Sequence, residues 1–159
     1  MTSTVAAGSK KSSRSPGLSG VLRRVVGQVL ELEGRRGGEI GVVLANDAIL
    51  REFNRRWRGI DRATDVISFA YDEHHPDRAT RPITGDIVIS MDRVRAQARR
   101  YRVTPGRELA RLVIHGTLHL CGHDHVRAVE RRVMRGRERA AVRAAATSIR
   151  SLERALKAT

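Results

Sequence analysis

The stretch His115-Gly116-Thr117-Leu118-His119-Leu120-Cys121-Gly122-His123-Asp124-His125 constrains this chain more than any other. His115 and His119 are four residues apart, so on a helix their imidazoles share one face, one turn above each other, with Cβ atoms about 5–6 Å apart. That spacing can grip a single metal ion. Gly122 suits the left-handed turn that ends a helix, and a chain that folds back there brings His125 to the same point as a third nitrogen ligand. Three protein ligands leave a fourth position open, which separates a catalytic zinc-like site from a closed structural one. A lone histidine pair at this spacing would be weak evidence, since exposed pairs are common and most bind nothing. Three features favour a site: Gly116 permits close approach, His125 lies just past the helix-ending glycine, and His123-Asp124 adds polar groups to an apolar neighbourhood.

At 159 residues the chain reads as one domain, long enough to bury its own core without a stabilising metal or disulfides. The histidine cluster is therefore free to be functional. A single cysteine, Cys121, excludes an intramolecular disulfide and fits a reducing compartment, so cytoplasm is expected. Residues 1–17 are polar and basic without the apolar stretch of a secretory signal, and read as a flexible tail; no later run has membrane-spanning length. The net charge of +14 makes a polyanion the natural partner, nucleic acid ahead of an acidic membrane surface. Only Lys10, Lys11 and Lys157 among the 31 basic residues are lysine, and arginine suits bidentate phosphate recognition. With 3% aromatic residues, readout of a single strand by base stacking is not supported.

Leu18, Val21, Leu22, Val25, Val26, Val29 and Leu30 recur at helical spacing up to a stop at Gly34. A strand over 39–44 precedes a helix from Asp47, capped by Asn46, with Ile49, Leu50 and Phe53 facing inward. Further strands are expected over 65–70 and 85–90, separated by a polar, proline-punctuated segment, 71–82, that reads as the most mobile part. A short helix near 91–101 precedes Thr104-Pro105, an N-cap followed by proline at the first helical position, so His115 and His119 sit on a helix. From Val126 to Leu156 an Ala/Arg-rich stretch carries a thinner apolar stripe of Val129, Val133, Met134, Ile149, Leu152 and Leu156, with its distal part expected to project. The fold class expected is α/β (α+β): a small mixed sheet packed by helices. It divides into a tail (1–17), a catalytic domain (18–140) and a helical C-terminal extension (141–159).

The spacing H-x-x-x-H-x-x-G-x-x-H, His115 to His125, is also that of the metzincin peptidases, so a metzincin-like zinc-site helix is expected. Those enzymes carry glutamate, their general base, directly after the first histidine, where this chain has Gly116. Peptide hydrolysis thereby becomes the alternative rather than the lead.

The string H-G-T-L-H-L-C-G-H-D-H closely resembles the signature H-G-x-L-H-L-x-G-Y-D-H of the bacterial YbeY endoribonuclease family. Asn54-Arg55-Arg56-Trp57-Arg58 resembles the family's L-N-x-x-Y-R segment, Thr64 to Phe69 its T-D-V-L-S-F strand, and Gly85 to Ser90 its G-D-I-x-I-S strand. Glu108, Met134 and Glu138 fall where the family carries the same residue types. The resemblance spans roughly 40–140. It implies one Zn2+ ion per chain on His115, His119 and His125, with Arg58 as the basic catalytic residue of the cleft. It also implies metal-dependent cleavage of single-stranded RNA in 16S rRNA 3′-end maturation and ribosome quality control. The partners implied are rRNA, the small ribosomal subunit, a small-subunit ribosomal protein and a ribosome-associated GTPase, with no membrane.

Two departures stand out. His123 replaces the family's tyrosine, and being two residues from His125 it is expected beside the ligands or facing substrate rather than on the ion. The family's opening strand has no convincing counterpart before Leu18, so the sheet is expected to be one strand short. Asp124 is expected to orient a histidine or cap a turn rather than act as base. Arg58 lies in a charge run with Arg55, Arg56 and Arg62, which without the resemblance reads as a solvated face. Asp65, Ser68 and Asp86 read as strand-end hydrogen-bond partners, Cys121 as a buried inert thiol, and His74 and His75 as solvated. Two other readings remain: a non-catalytic ribosome-maturation factor with a structural metal, and a metal hydrolase of another bond. Deleting the arginine-rich C-terminal helix is expected to weaken RNA affinity and leave metal content intact.

Overall fold

The computed structural model describes residues 4–6 and 17–159. In chain order the elements are β1 (Thr4–Ala6), α1 (Leu18–Leu32), β2 (Gly37–Ala45), α2 (Asp47–Arg58), β3 (Val66–Ala70), β4 (Ile83–Ser90), α3 (Met91–Tyr101), α4 (Pro105–Leu120), α5 (Ala128–Ala144) and α6 (Ala146–Lys157). The result is an α+β fold with one mixed sheet in the order β1-β2-β4-β3. β2 and β4 run parallel, with Val42 opposite Ile87 and Leu44 opposite Ile89. β3 closes one edge antiparallel to β4, and β1 the other edge antiparallel to β2. The sheet is thus not short by a strand: Thr4–Ala6 pairs with Gly41–Val43. A three-residue strand is shorter than the runs over which alternation can be read, so nothing in the sequence marks it. The rest of the expected tail, 1–3 and 7–16, lies outside the described residues.

Side-chain alternation along the strands sorts the sheet into two faces. Ile40, Val42 and Leu44 of β2 and Ile83, Ile87 and Ile89 of β4 join the main core with α1 and α4. Val43, Ala45, Val88, Ile67 and Phe69 turn the other way and pack with Leu50 and Phe53 of α2. Both α2 and α4 start with side-chain caps, Asn46 Oδ1 accepting from Ile49 N–H and Thr104 Oγ1 from Arg107 N–H.

α4 is the central helix. Leu109, Leu112, Val113, Ile114 and Leu118 are essentially inaccessible to solvent, because the helix is packed by the sheet and by other helices. One neighbour is α6, which corrects the expected projection of the C-terminal stretch. Ala145, Ile149 and Leu152 are buried in the main core. A Cβ on Gly106 of α4 would stand 2.9 Å from the Cα of Glu153, so the two backbones touch. The apolar stripe on α5 also differs from expectation. Met134 and Ala141 face inward, whereas Val129 and Val133 are exposed, since adjacent residues such as Val133 and Met134 sit about 100° apart on a helix. Among the described residues no helix is long and apolar enough to cross a membrane.

Candidate metal centre

His115 and His119 occupy successive turns of α4, with ring centroids 4.8 Å apart. The helix ends in a Schellman turn. Gly122 N–H donates to His119 O at 2.9 Å and His123 N–H to Leu118 O at 3.0 Å, with Gly122 at φ +100°, a conformation that favours glycine. The reversal is then held by Asp124 Oδ1, which accepts from His125 N–H at 2.7 Å, and by Arg131, whose guanidinium donates to Val126 O at 2.9 Å. Asp124 thus bonds the backbone of the ligand loop at the position next to it.

These contacts bring His125 Nδ1 to 3.0 Å from His119 Nε2, which lies 3.2 Å from His115 Nε2. All three donor atoms lie within 4.8 Å of one another. Zinc–nitrogen bonds of about 2.0–2.1 Å at tetrahedral angles put ligand nitrogens roughly 3.3 Å apart, so the donor set fits such an ion in type and spacing. The central histidine of the three, His119, is also in the right protonation state. Burial first, and then the neighbouring His115 and His125, push His119 down to about 4, so it is neutral at pH 7 and able to ligate.

Behind the donor set, Glu138 of α5 accepts from His115 Nδ1 at 3.0 Å through Oε2. Its Oε1 accepts from Arg111 Nη1 at 3.1 Å. Arg111 in turn makes a two-pronged bond to Glu108, Nε to Oε2 at 3.0 Å and Nη2 to Oε1 at 2.7 Å. Burial by itself raises the Glu138 carboxyl, but the bonds and charges of His115 and Arg111 outweigh it and hold the group below the ordinary value.

The three imidazoles open into a cleft of about 510 Å³, whose walls include Arg58, Asp65, Ser68, Glu73, Arg78, His123 and Asp124. Of the run Arg55, Arg56, Arg58 and Arg62, Arg58 alone lines it. Its guanidinium makes no hydrogen bond or ion pair among the described residues, whereas Arg55 is engaged by Glu52. His123 is not part of the nitrogen cluster. Its Nε2 lies 2.7 Å from Glu33 Oε2, at the end of α1. Ser68 donates to Gly116 O at 3.1 Å, and Asp65 accepts from Val66 N–H and from Gln97, so both serve the scaffold while lining the cleft. Asp86 accepts from Tyr71 Oη. Cys121 is half-buried and outside the nitrogen group, its thiol pushed up to about 11 by burial and then by Glu33. His75 bonds within its own loop, to Asp77 N–H and Arg81. That loop, expected as the most mobile segment, is tied to the end of α4: Arg78 donates to Leu120 O at 3.4 Å, and Arg35 donates to Cys121 O at 3.2 Å and Arg78 O at 2.9 Å.

The family model described as endoribonuclease YbeY matches residues 7–146. The chain belongs to the endoribonuclease YbeY family. It is 40% identical over 129 residues to the endoribonuclease YbeY of Desulfitobacterium hafniense, covering 77% of this chain and 82% of that protein. It is 45% identical over 126 residues to that of Roseiflexus castenholzii, with 76% and 79% covered. A solution structure of a Thermotoga maritima protein superimposes with a TM-score of 0.61 at 28% identity, covering 91% of this chain and 89% of the other. Membership of the YbeY family supports an RNA endonuclease role, and the three-histidine group is consistent with metal dependence.

Glu138, Arg111, Glu33 and Arg78 take roles in the structure that their sequence positions alone do not reveal. One signal was available: Met134, Glu138 and Ala141 share a helical face. A glutamate on an otherwise buried face needs a partner, and sequence alone does not name it.

Proposed function

We propose that the chain is a zinc-dependent endoribonuclease for single-stranded RNA, acting in the cytoplasm on the small ribosomal subunit in 16S rRNA 3′-end maturation and ribosome quality control. The observation that carries the metal-dependent reading is the convergence of His115 Nε2, His119 Nε2 and His125 Nδ1 in a cleft with the Arg58 guanidinium at its wall. The ribosomal substrate and partners rest on the family resemblance.

His115, His119 and His125 would hold the ion. When bound, it supplies Lewis acidity toward a phosphate oxygen and lowers the pKa of a water. The protein's own groups do the rest. Arg58, unpaired among the described residues, meets at the cleft wall the extra negative charge that a phosphate gains on the way to its pentavalent transition state. Asp124, already accepting from His125 N–H, holds the ligand loop. The nucleophile is either water or the RNA's own 2′-hydroxyl. The peptidase alternative lacks its general base, since Gly116 stands where a metzincin carries glutamate, and a Cβ there would already meet Ile87 Cγ2 at 2.7 Å.

The test uses an end-labelled single-stranded RNA and the same sequence as a duplex, with protein stripped by a chelator and reloaded with zinc. Cleavage is expected with reloaded protein on the single strand only. Binding without cleavage would favour a non-catalytic maturation factor.

A further inference from the structure

We propose that Glu138 is the positioning residue for His115, and that Arg111 fixes how Glu138 presents its carboxylate, so that His115 carries its proton on Nδ1 and leaves Nε2 bare for the ion. The proposal rests on the metal reading above. It does not follow from the ligands alone, because among the described residues neither the His119 nor the His125 ring bonds to a carboxylate.

Glu108, Arg111 and His115 fall at i, i+3 and i+7 on one face of α4, and Glu138 approaches that face from α5. An ionised carboxylate only accepts, so the 3.0 Å contact from Glu138 Oε2 makes His115 Nδ1 the donor. The lone pair is then on Nε2, the atom 3.2 Å from His119 Nε2. Glu138 cannot swing away while Arg111 grips its other oxygen at 3.1 Å. Arg111 is itself anchored at two points by Glu108, which is 2% exposed. The group forms a chain from a buried carboxylate to a ligand nitrogen, and every link has a defined direction.

Direction gives a test that packing alone would not pass. Glu138→Gln keeps size and shape but replaces one acceptor oxygen with an NH2 group. Arg111 has only donors to offer, so it takes the amide oxygen and leaves the NH2 facing His115 Nδ1. His115 must then accept there and carry its proton on Nε2, the wrong atom for an ion. Zinc affinity, measured by competition with a chromophoric chelator, is expected to fall about 10–100-fold. In the metal-free protein the ¹⁵N shifts of the His115 ring are expected to exchange between Nδ1 and Nε2. Adding Arg111→Met frees the amide to rotate, so the double variant should recover affinity relative to Glu138→Gln.

Glu138→Gln protein that binds zinc within twofold of wild type with unchanged ring shifts would overturn the proposal, as would a double variant whose losses simply add. If the double variant does not fold, the Glu138→Gln ring spectrum decides alone. Wild-type protein that fails to bind zinc would refute the metal reading instead, while the metal-free ring shifts would still judge the tautomer.

Discussion

Replacing Gly116 with alanine inserts one methyl group between the metal helix and the sheet. The new Cβ would lie 2.7 Å from Ile87 Cγ2 and 3.0 Å from Ser68 Oγ, against an ordinary carbon contact of about 3.5–4.0 Å. Ile87 is fully buried and has no solvent to move into, so α4 and β4 must separate. Overpacking of this kind costs about 1–3 kcal/mol, offset by roughly 1 kcal/mol from replacing glycine inside a helix. The net loss is about 0–2 kcal/mol. At about 2–4 °C per kcal/mol for a chain of this size, the melting temperature falls by up to about 8 °C. Zinc affinity falls with it, because His115 and His119 ride on α4 while His125 is tied to α5 through Arg131, and metal sites tolerate only about 0.2 Å of misplacement. Gly27→Ala is the control: its Cβ meets nothing within 4 Å, so the same substitution should raise the melting temperature by about 2–4 °C. Calorimetry and chelator competition on the metal-free and zinc-loaded forms measure both effects. A Gly116→Ala protein as stable as the Gly27→Ala control, with wild-type zinc affinity, would refute the claimed contact.

Leu152 on α6 is fully buried, so Leu152→Ala should cost about 2–5 kcal/mol in urea unfolding; a cost below about 1 kcal/mol would mean that α6 is an appendage. Removal of residues 146–159 should likewise destabilise the whole fold, so any loss of RNA affinity must be read against unfolding, and a truncated protein with an unchanged urea midpoint would contradict the packing. With its thiol at about 11, Cys121 is about 0.1% thiolate at pH 8, against roughly a quarter for an ordinary cysteine. A disulfide reagent should therefore react more than 100-fold slower than with free cysteine, its rate climbing as pH rises toward 11; a plateau by pH 9.5 would contradict the burial.

The legible parts were those with local signals. The i, i+4 histidines, the Thr104-Pro105 start and the Gly122 stop fixed α4 and the turn to His125, and apolar spacing fixed α1, β2 and β4. Two kinds of feature escaped. A strand as short as Thr4–Ala6 is held by its pairing with β2 rather than by propensity. Contacts between distant segments, such as His115 with Glu138 and His123 with Glu33, depend on how α5 and α1 dock. The stripe on α5 departs from its apolar pattern because valines at 129 and 133 are as apolar as a core residue, and only docking shows that Met134 and Ala141 face inward.

The central claim, that one metal centre cuts RNA, is tested most directly by an end-labelled precursor rRNA fragment incubated with wild-type protein and with a folded His119→Ala variant purified identically. Wild type should cleave and the variant should not, since His119 Nε2 lies between the other two donor nitrogens, at 3.2 and 3.0 Å. Equal cleavage by both would show that the activity belongs to a contaminant and would contradict the account.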